Sequence, residues 1–333
     1  MTAGPAQVEE CVAPGPEAIL AAIAGRDQPL VFRAGARHWP LTQQGLDSDQ
    51  AALSYLSGFA AQPVAVCELP PEAKGRVFFN GQMDGFNFRG YRQHFAELAE
   101  RLAGGDLAAG LYMGSTETTQ FFPGFAEQHG QDFAALGALT SLWVGNASRI
   151  AAHFDFPHNL ACNLVGQRTF TLFPPQEVGN LYVGPLGLAP GGQDISLVNF
   201  DEPDFDRFPK AAEALAAAQQ ATLEPGDILF IPSLWWHQVV AKASLNVLMT
   251  FWWRDSPAWL GRPTNALLHA VLSLRDLPKA QRQAWKALFD HYVFDHDGAP
   301  AHLPEQAQGP LASPMTEQAA RLLRAELMAK FKR

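Results

Sequence analysis

The sequence predicts a mainly β protein with helices, in which a barrel or sandwich occupies the middle of the chain. Three observations predict it. Residues 140 to 255 read mostly as short apolar runs separated by Gly, Pro and Asn, the pattern of successive strands and turns. Residues 1 to about 135 mix short helical patterns with strands, and from about residue 257 the hydrophobic spacing becomes helical. With 333 residues, 47% of them hydrophobic and 17% charged, the chain is long enough to bury a sizeable core.

Along the chain, "GPEAILAAIAG" places Ile19, Leu20 and Ile23 at helical spacing before a glycine stop, and "QPLVFRA" follows as a strand. The turn dipeptides and aromatics of "FFNGQMDGFNFRG" suit a hairpin region. "PKAAEALAAAQQA", residues 209 to 221, is alanine-rich and expected to be a helix or helical loop ending before "EPGD". In "LPKAQRQAWKALFDHYVF", Trp285, Leu288, Phe289 and Tyr292 lie on one stripe, with Pro278 in a first helical turn. "SPMTEQAARLLRAELMAKF" repeats the design, with Ser313 as the expected cap, Pro314 after it, and Leu323, Leu327 and Phe331 along a face. These two segments either cap their own domain or form an oligomer interface.

Composition narrows the function classes. A formal net charge of -9 leaves no basic footprint, so nucleic acid is not an expected partner. The three cysteines, Cys11, Cys67 and Cys162, are odd in number and widely spaced, which argues against a disulfide framework and against a cysteine-built zinc site. The start, "MTAGPAQVEECVAPGPEA", lacks the basic and apolar regions of a signal peptide. No run of about 18 apolar residues occurs, so no membrane span is expected and the chain reads as cytoplasmic.

The chemistry-bearing pattern begins at "HFDFPHNLACNLVGQRTFTLFPP". In an extended strand, side chains i and i+2 share a face, so His153 and Asp155 converge. Among ten histidines one His-x-Asp carries little by itself. His237 follows in "EPGDILFIPSLWWHQVV", behind a Pro-Gly turn and an apolar strand. Two histidines and one carboxylate on a strand-rich scaffold make a facial metal site with open coordination positions, the donor set of non-haem Fe(II) oxygenases.

The segments "HFD", "NL", "GQRTFTLFPP", "VNFDEPDFDRFPKA" and "PGDILFIPSLWWHQV", with "PLVFRAGARHWP" upstream, resemble the cupin-like JmjC oxygenases. They are similar to the asparaginyl hydroxylase that inhibits the hypoxia-inducible factor. The resemblance runs from about residue 29 to 255. It implies a double-stranded β-helix (jelly-roll or cupin) core with strands at about 108 to 255, inside a domain of residues 1 to 256 that carries an N-terminal α/β elaboration. Residues 257 to 333 match a helical segment through which relatives often dimerise, so a homodimer is expected. Fe(II) and the co-substrate 2-oxoglutarate are implied in the same way.

Carried over residue by residue, His153, Asp155 and His237 fall on the iron ligands. Tyr112, in "GLYMGS", matches a tyrosine whose hydroxyl reaches the 2-oxoglutarate carboxylate, and is equally readable as a core tyrosine. Asn159 matches a pocket asparagine, or belongs to a turn. Arg168 stands fifteen residues after the first ligand, where the family has a carboxylate-binding lysine. Its planar, bidentate guanidinium reaches further than an ammonium. On the last strand Asn246, Leu248, Thr250 and Trp252 share a face, with Thr250 in place of an asparagine. Thr250 and Trp252 join the expected co-substrate pocket. Ile150, three before the first ligand, replaces a family threonine.

Alternation also gives Arg168, Phe170 and Leu172 one face, so a guanidinium points where apolar side chains point and needs an anion. That anion is a keto-acid carboxylate, or a carboxylate of the chain such as Asp227 or Glu224. Failing either, Arg168 reaches water at the strand mouth. The expected activity is hydroxylation of an unactivated C–H bond in a peptide, protein or small-molecule substrate, with O2 consumed. The alternatives are a cupin metalloenzyme that uses no 2-oxoglutarate and a non-catalytic metal-binding module. The loops "FFNGQMDGFNFRG" and "GSTETTQFFPGF" either wall the entrance or serve as core and turn.

Overall fold

The computed structural model describes residues 4–12, 15–104 and 109–331, and among these described residues fifteen strands form. The first seven are β1 (Ala6–Gln7), β2 (Glu10–Val12), β3 (Leu30–Arg33), β4 (Val64–Leu69), β5 (Arg76–Val77), β6 (Arg89–Gln93) and β7 (Gly110–Glu117). Eight more follow: β8 (Leu139–Gly145), β9 (Ser148–Phe154), β10 (His158–Val165), β11 (Arg168–Phe173), β12 (Gln219–Leu223), β13 (Ile228–Ile231), β14 (Trp236–Ala241) and β15 (Asn246–Trp253). They form a six-stranded sheet, β1-β12-β11-β14-β9-β5, and a nine-stranded sheet, β2-β3-β13-β10-β15-β8-β7-β4-β6. Within these, β12-β11-β14-β9 and β13-β10-β15-β8 are each fully antiparallel. This is the expected double-stranded β-helix core, with helices at both ends of the chain.

The nine-stranded sheet is covered on both faces, which is why its central strands read as continuous apolar runs rather than alternating ones. Alternation survives in the direction each side chain takes. Leu30, Phe32, Ile228, Phe230, Leu160, Cys162, Val247 and Met249 face one core. That core also receives the helices Pro16–Ile23, Pro40–Asp47, Asp49–Ser57 and Phe95–Ala103. Their neighbours Val31, Leu229, Ile231, Ala161 and Leu248 face a second core shared with Phe170 and Leu172 of the six-stranded sheet. A third core, with Phe173, Val198, Phe200 and Trp236, lies under the helix Ala211–Ala217. Each fully buried Leu, Ile or Phe contributes about 1.5–3 kcal/mol, and the second core is where Phe170 and Leu172 meet Leu229 and Leu248 of the other sheet.

Three local expectations change. The helix expected over 209 to 221 ends at Ala217, and Gln219–Leu223 is β12. Alanine's helical preference is worth tenths of a kcal/mol per residue, whereas the β11 ladder satisfies backbone groups and buries Ala221 and Leu223. Pro278 lies just before the helix Lys279–Phe289 rather than in its first turn. The cap of Glu317–Phe331 is Thr316, not Ser313. Thr316 Oγ1 accepts from Ala319 N at 3.2 Å, whereas Ser313 lies too far upstream to meet an orphan N–H of the first turn.

The chain divides into two compact units, Met1–Trp253 and Arg254–Arg333. In the second, Ala320 is the one buried hydrophobic side chain among the described residues. Leu267, Leu268, Leu272, Trp285, Phe294, Leu322 and Met328 are all exposed on its helices. No helix among the described residues is long and apolar enough to cross a membrane.

Candidate metal centre and anion pocket

Strand pairing brings the ligand candidates together. In the six-stranded sheet Leu172 pairs with His237 and His237 with His153, so the two histidines are neighbours across the β14–β9 ladder. Their ring centroids lie 4.3 Å apart. The ring Nδ1 of His153 bonds the carbonyl of Ala151 at 2.9 Å, and that of His237 bonds the carbonyl of Trp235 at 3.1 Å. A carbonyl only accepts, so in each ring Nδ1 carries a proton and Nε2 is the nitrogen left to ligate. Burial, then the neighbouring His153, push His237 down to about 4, against a smaller opposing pull from Asp155. At neutral pH His237 is in the neutral, ligating form.

β9 ends at Phe154, and Asp155 turns off its end. The Asp155 carbonyl accepts from Leu234 N at 2.9 Å, which ties it to the segment leading into His237. Leu234 adopts φ 67°, a left-handed conformation that a leucine holds only where its surroundings fix it. Asp155 Oδ2 lies 3.7 Å from His237 Nε2. One ligand atom from each of His153, Asp155 and His237 lies within 4.8 Å of the others, so the three could hold one metal ion. The other carboxylate oxygen, Asp155 Oδ1, accepts from Gln193 Nε2 at 3.0 Å.

All eight sequence-derived candidates line one pocket: His153, Asp155, His237, Tyr112, Asn159, Arg168, Thr250 and Trp252. Arg168 is 5% exposed, so it does not reach water. Neither carboxylate named as its partner is available. Asp227 lies 2.5 Å from Arg33 and accepts from Ala34 N and Glu224 N. Glu224 accepts from Gln167 at 2.6 Å. Arg168 Nε has no hydrogen-bond partner. Burial lowers the Arg168 pKa to about 10, opposed by Tyr112, so the guanidinium remains charged at neutral pH. Tyr112, on β7, is pushed up by burial and pulled back by Arg168. Gly145 sits opposite Tyr112, where a Cβ would lie 2.4 Å from the Leu111 carbonyl oxygen, so only glycine admits this strand approach.

Asn159 Oδ1 and Trp252 Nε1 are also buried without partners. Thr250 is engaged, its Oγ1 accepting from Trp143 Nε1 at 3.1 Å. The pocket therefore combines a carboxylate–histidine cluster, a buried cation and unsatisfied polar atoms within apolar walls of Ile150, Phe170, Val239 and Leu248. Such atoms are costly unless a ligand meets them.

Sequence reasoning did not find Gln193, Ser148 or Trp143. Gln193 sits in a Gly-rich loop with no periodic signal. Trp143 is readable only as an apolar strand residue. Ser148 faces the pocket because the β14–β9 register shifts between His237 and Val239, so that Ile150, not Ala151, follows His153 on this face. Of the two loops expected to wall an entrance, "GSTETTQFFPGF" buries Phe122 and Phe125 in the first core. In "FFNGQMDGFNFRG", Phe79 bridges Phe86 and packs on Ala151 and Ile195, beside β9.

A family model for a cupin-like domain matches residues 16–258. "Lysine-specific demethylase JMJ31" of Arabidopsis thaliana is 33% identical over 148 residues, 41% of this chain and 26% of that protein. "tRNA wybutosine-synthesizing protein 5" of Mus musculus is 32% identical over 106 residues, 32% of this chain and 30% of that protein. "HSPB1-associated protein 1" of Homo sapiens is 30% identical over 170 residues, 49% of this chain and 32% of that protein. The chain thus spans about a quarter to a third of the length of these relatives. By this match and this β architecture, the chain belongs to the cupin-like domain family, of the JmjC type.

Proposed function

We propose that the protein is an Fe(II)- and 2-oxoglutarate-dependent oxygenase that hydroxylates an unactivated C–H bond. The observation that carries this is Arg168, a buried guanidinium with an unpartnered Nε in the same pocket as His153, Asp155 and His237. A metal site alone would fit many cupin metalloenzymes, but a buried unpaired cation beside it calls for a bound anion.

In this reading Nε2 of His153, Nε2 of His237 and a carboxylate oxygen of Asp155 hold Fe(II), a donor set suited to that metal. Arg168 and Tyr112 receive the distal carboxylate of 2-oxoglutarate, while Asn159, Thr250 and Trp252 line its flank. With both bound, Fe(II) and 2-oxoglutarate would supply the oxidising chemistry: 2-oxoglutarate would lose CO2 and take one atom of O2 to become succinate, and the other atom would enter the substrate C–H bond. The chain's part is to orient the metal, neutralise the co-substrate and exclude water. Ile150, Phe170, Val239 and Leu248 serve the last role, strengthening every charge interaction inside.

The substrate is proposed to be a peptide, protein or small molecule. The net charge of -9 disfavours a polyanion, so the tRNA link in one group of relatives' names is not carried over. We also propose a homodimer formed through residues 257–333, whose helices expose apolar side chains that a second copy would cover. The test of the activity is turnover of 2-oxoglutarate to succinate by purified protein with Fe(II), ascorbate and O2, across peptide and metabolite pools. Fe(II) binding without succinate formation in any pool would overturn it, in favour of a metal-binding module or an oxoglutarate-independent metalloenzyme.

A further inference from the structure

We infer that Gln193 is a positioning residue of the metal centre, holding one oxygen of Asp155 so that the other is presented as a single-atom ligand. The inference rests on the metal-centre reading above. Gln193 Nε2 donates to Asp155 Oδ1 at 3.0 Å, while Oδ2 is the oxygen near His237 Nε2, at 3.7 Å. Asp155 is 6% exposed, so an oxygen without a donor there would be costly.

The chemistry of an amide fits this place. An Arg or Lys would satisfy Oδ1 but would also neutralise the charge that a divalent cation requires. Gln193 satisfies the oxygen and leaves the negative charge intact. By occupying Oδ1 it opposes rotation of the carboxylate and bidentate ligation, which keeps coordination positions open.

The fold gives Gln193 a fixed origin although its neighbours are loop residues. Val183 bridges Ser196, and Gly184 N donates to the Ile195 carbonyl at 2.9 Å, forming a hairpin. That hairpin is fastened to the ligand strand itself: Ile195 bridges His153, and Ser196 N donates to the Ala152 carbonyl at 2.7 Å. Ser196 Oγ bonds the Leu181 carbonyl at the hairpin's base. Gln193 therefore stands two residues from a backbone anchor on the first ligand and reaches the second. One hairpin registers both.

The test is Mn(II) binding to the full-length apo protein, followed by the electron paramagnetic resonance signal of free Mn(II). Gln193→Met keeps the length and most of the volume and removes the donor, and Gln193→Ala removes both. The expected result is a Kd for Mn(II) raised about 10- to 100-fold in both variants, as for lost partners of ligating groups elsewhere. Asp155→Ala is titrated alongside. If Gln193→Met binds Mn(II) as the wild type does while Asp155→Ala does not, the positioning role is wrong and the metal centre stands. If Asp155→Ala also keeps wild-type affinity, the metal reading falls and this inference with it.

Discussion

Arg168 and Tyr112 interact across the pocket from opposite sheets, each shifting the other's proton affinity against the effect of burial. The pairing leaves the charge unbalanced at neutral pH, because burial keeps Tyr112 a neutral phenol. The nearby acids cannot help, because Arg33 and Gln167 already hold Asp227 and Glu224. That unbalanced charge is what the proposed co-substrate carboxylate would meet.

Removing that charge has opposite effects on stability and function. Arg168→Met should stabilise the ligand-free protein, by roughly 1–3 kcal/mol, because an unsatisfied buried donor is removed. The same change should raise the 2-oxoglutarate half-saturation by about one to two orders of magnitude, since charge-assisted bonds are worth roughly 1.5–3 kcal/mol each. Arg168→Lys keeps the charge and tests reach. Denaturant midpoints and succinate assays on the same preparations check both signs. Wild-type half-saturation in Arg168→Met would place the anchor elsewhere.

Metal loading should depend on each of the three ligands. About one Fe(II) or Mn(II) per chain is expected from a single three-ligand site. Asp155→Ala, which removes the only anionic donor of the three, should lose affinity most sharply, and His237→Ala should also lose it. Metal analysis after desalting would show this, and unchanged content in both variants would sink the site.

His129 predicts an acid-side loss of stability unrelated to the metal. It is fully buried, accepts from Leu41 N through Nε2, bonds the Phe125 carbonyl through Nδ1 and stacks on Phe125 at 3.9 Å. Burial pushes its pKa down to about 4 from the ordinary 6.5. The unfolded chain therefore takes up a proton first as pH falls. The stabilisation is complete above about pH 6.5 and declines towards pH 4, by at most about 3 kcal/mol. Urea midpoints at pH 7.5, 5.5 and 4.5 should show a steeper fall for the wild type than for His129→Gln. Equal slopes would remove His129 as the cause.

The C-terminal helices give the assembly prediction. Leu272 is 80% and Phe294 70% exposed, and neither has reason to be apolar in a lone helical unit. Sedimentation should find a dimer at micromolar concentration, and Leu272→Glu with Phe294→Glu should shift it towards monomer. A wild-type monomer under these conditions would refute the interface.

The β architecture and eight of the pocket's lining residues were legible in the order of the residues alone. Strand alternation put Arg168 with Phe170, and Thr250 with Trp252, because a period of two is a property of the backbone alone. The His-x-Asp spacing marked His153 and Asp155, but Asp155 lies past the end of β9 and is held by the bond from Leu234 N to its carbonyl. Tertiary structure decided the rest. Whether Arg168 was free depended on Arg33, some 135 residues earlier in the chain, claiming Asp227. Ile150 and Ser148 face the pocket at odd spacing from His153 because of a bulge, which arises only when β9 and β14 pair. Gln219–Leu223 is a strand because β11 pairs with it, against the helical preference of the alanine-rich run just before it. Gln193 entered the site through a hairpin fastened to β9. Pairing energy and register between distant segments are not encoded in any local window, so the residues they select become visible only in the fold.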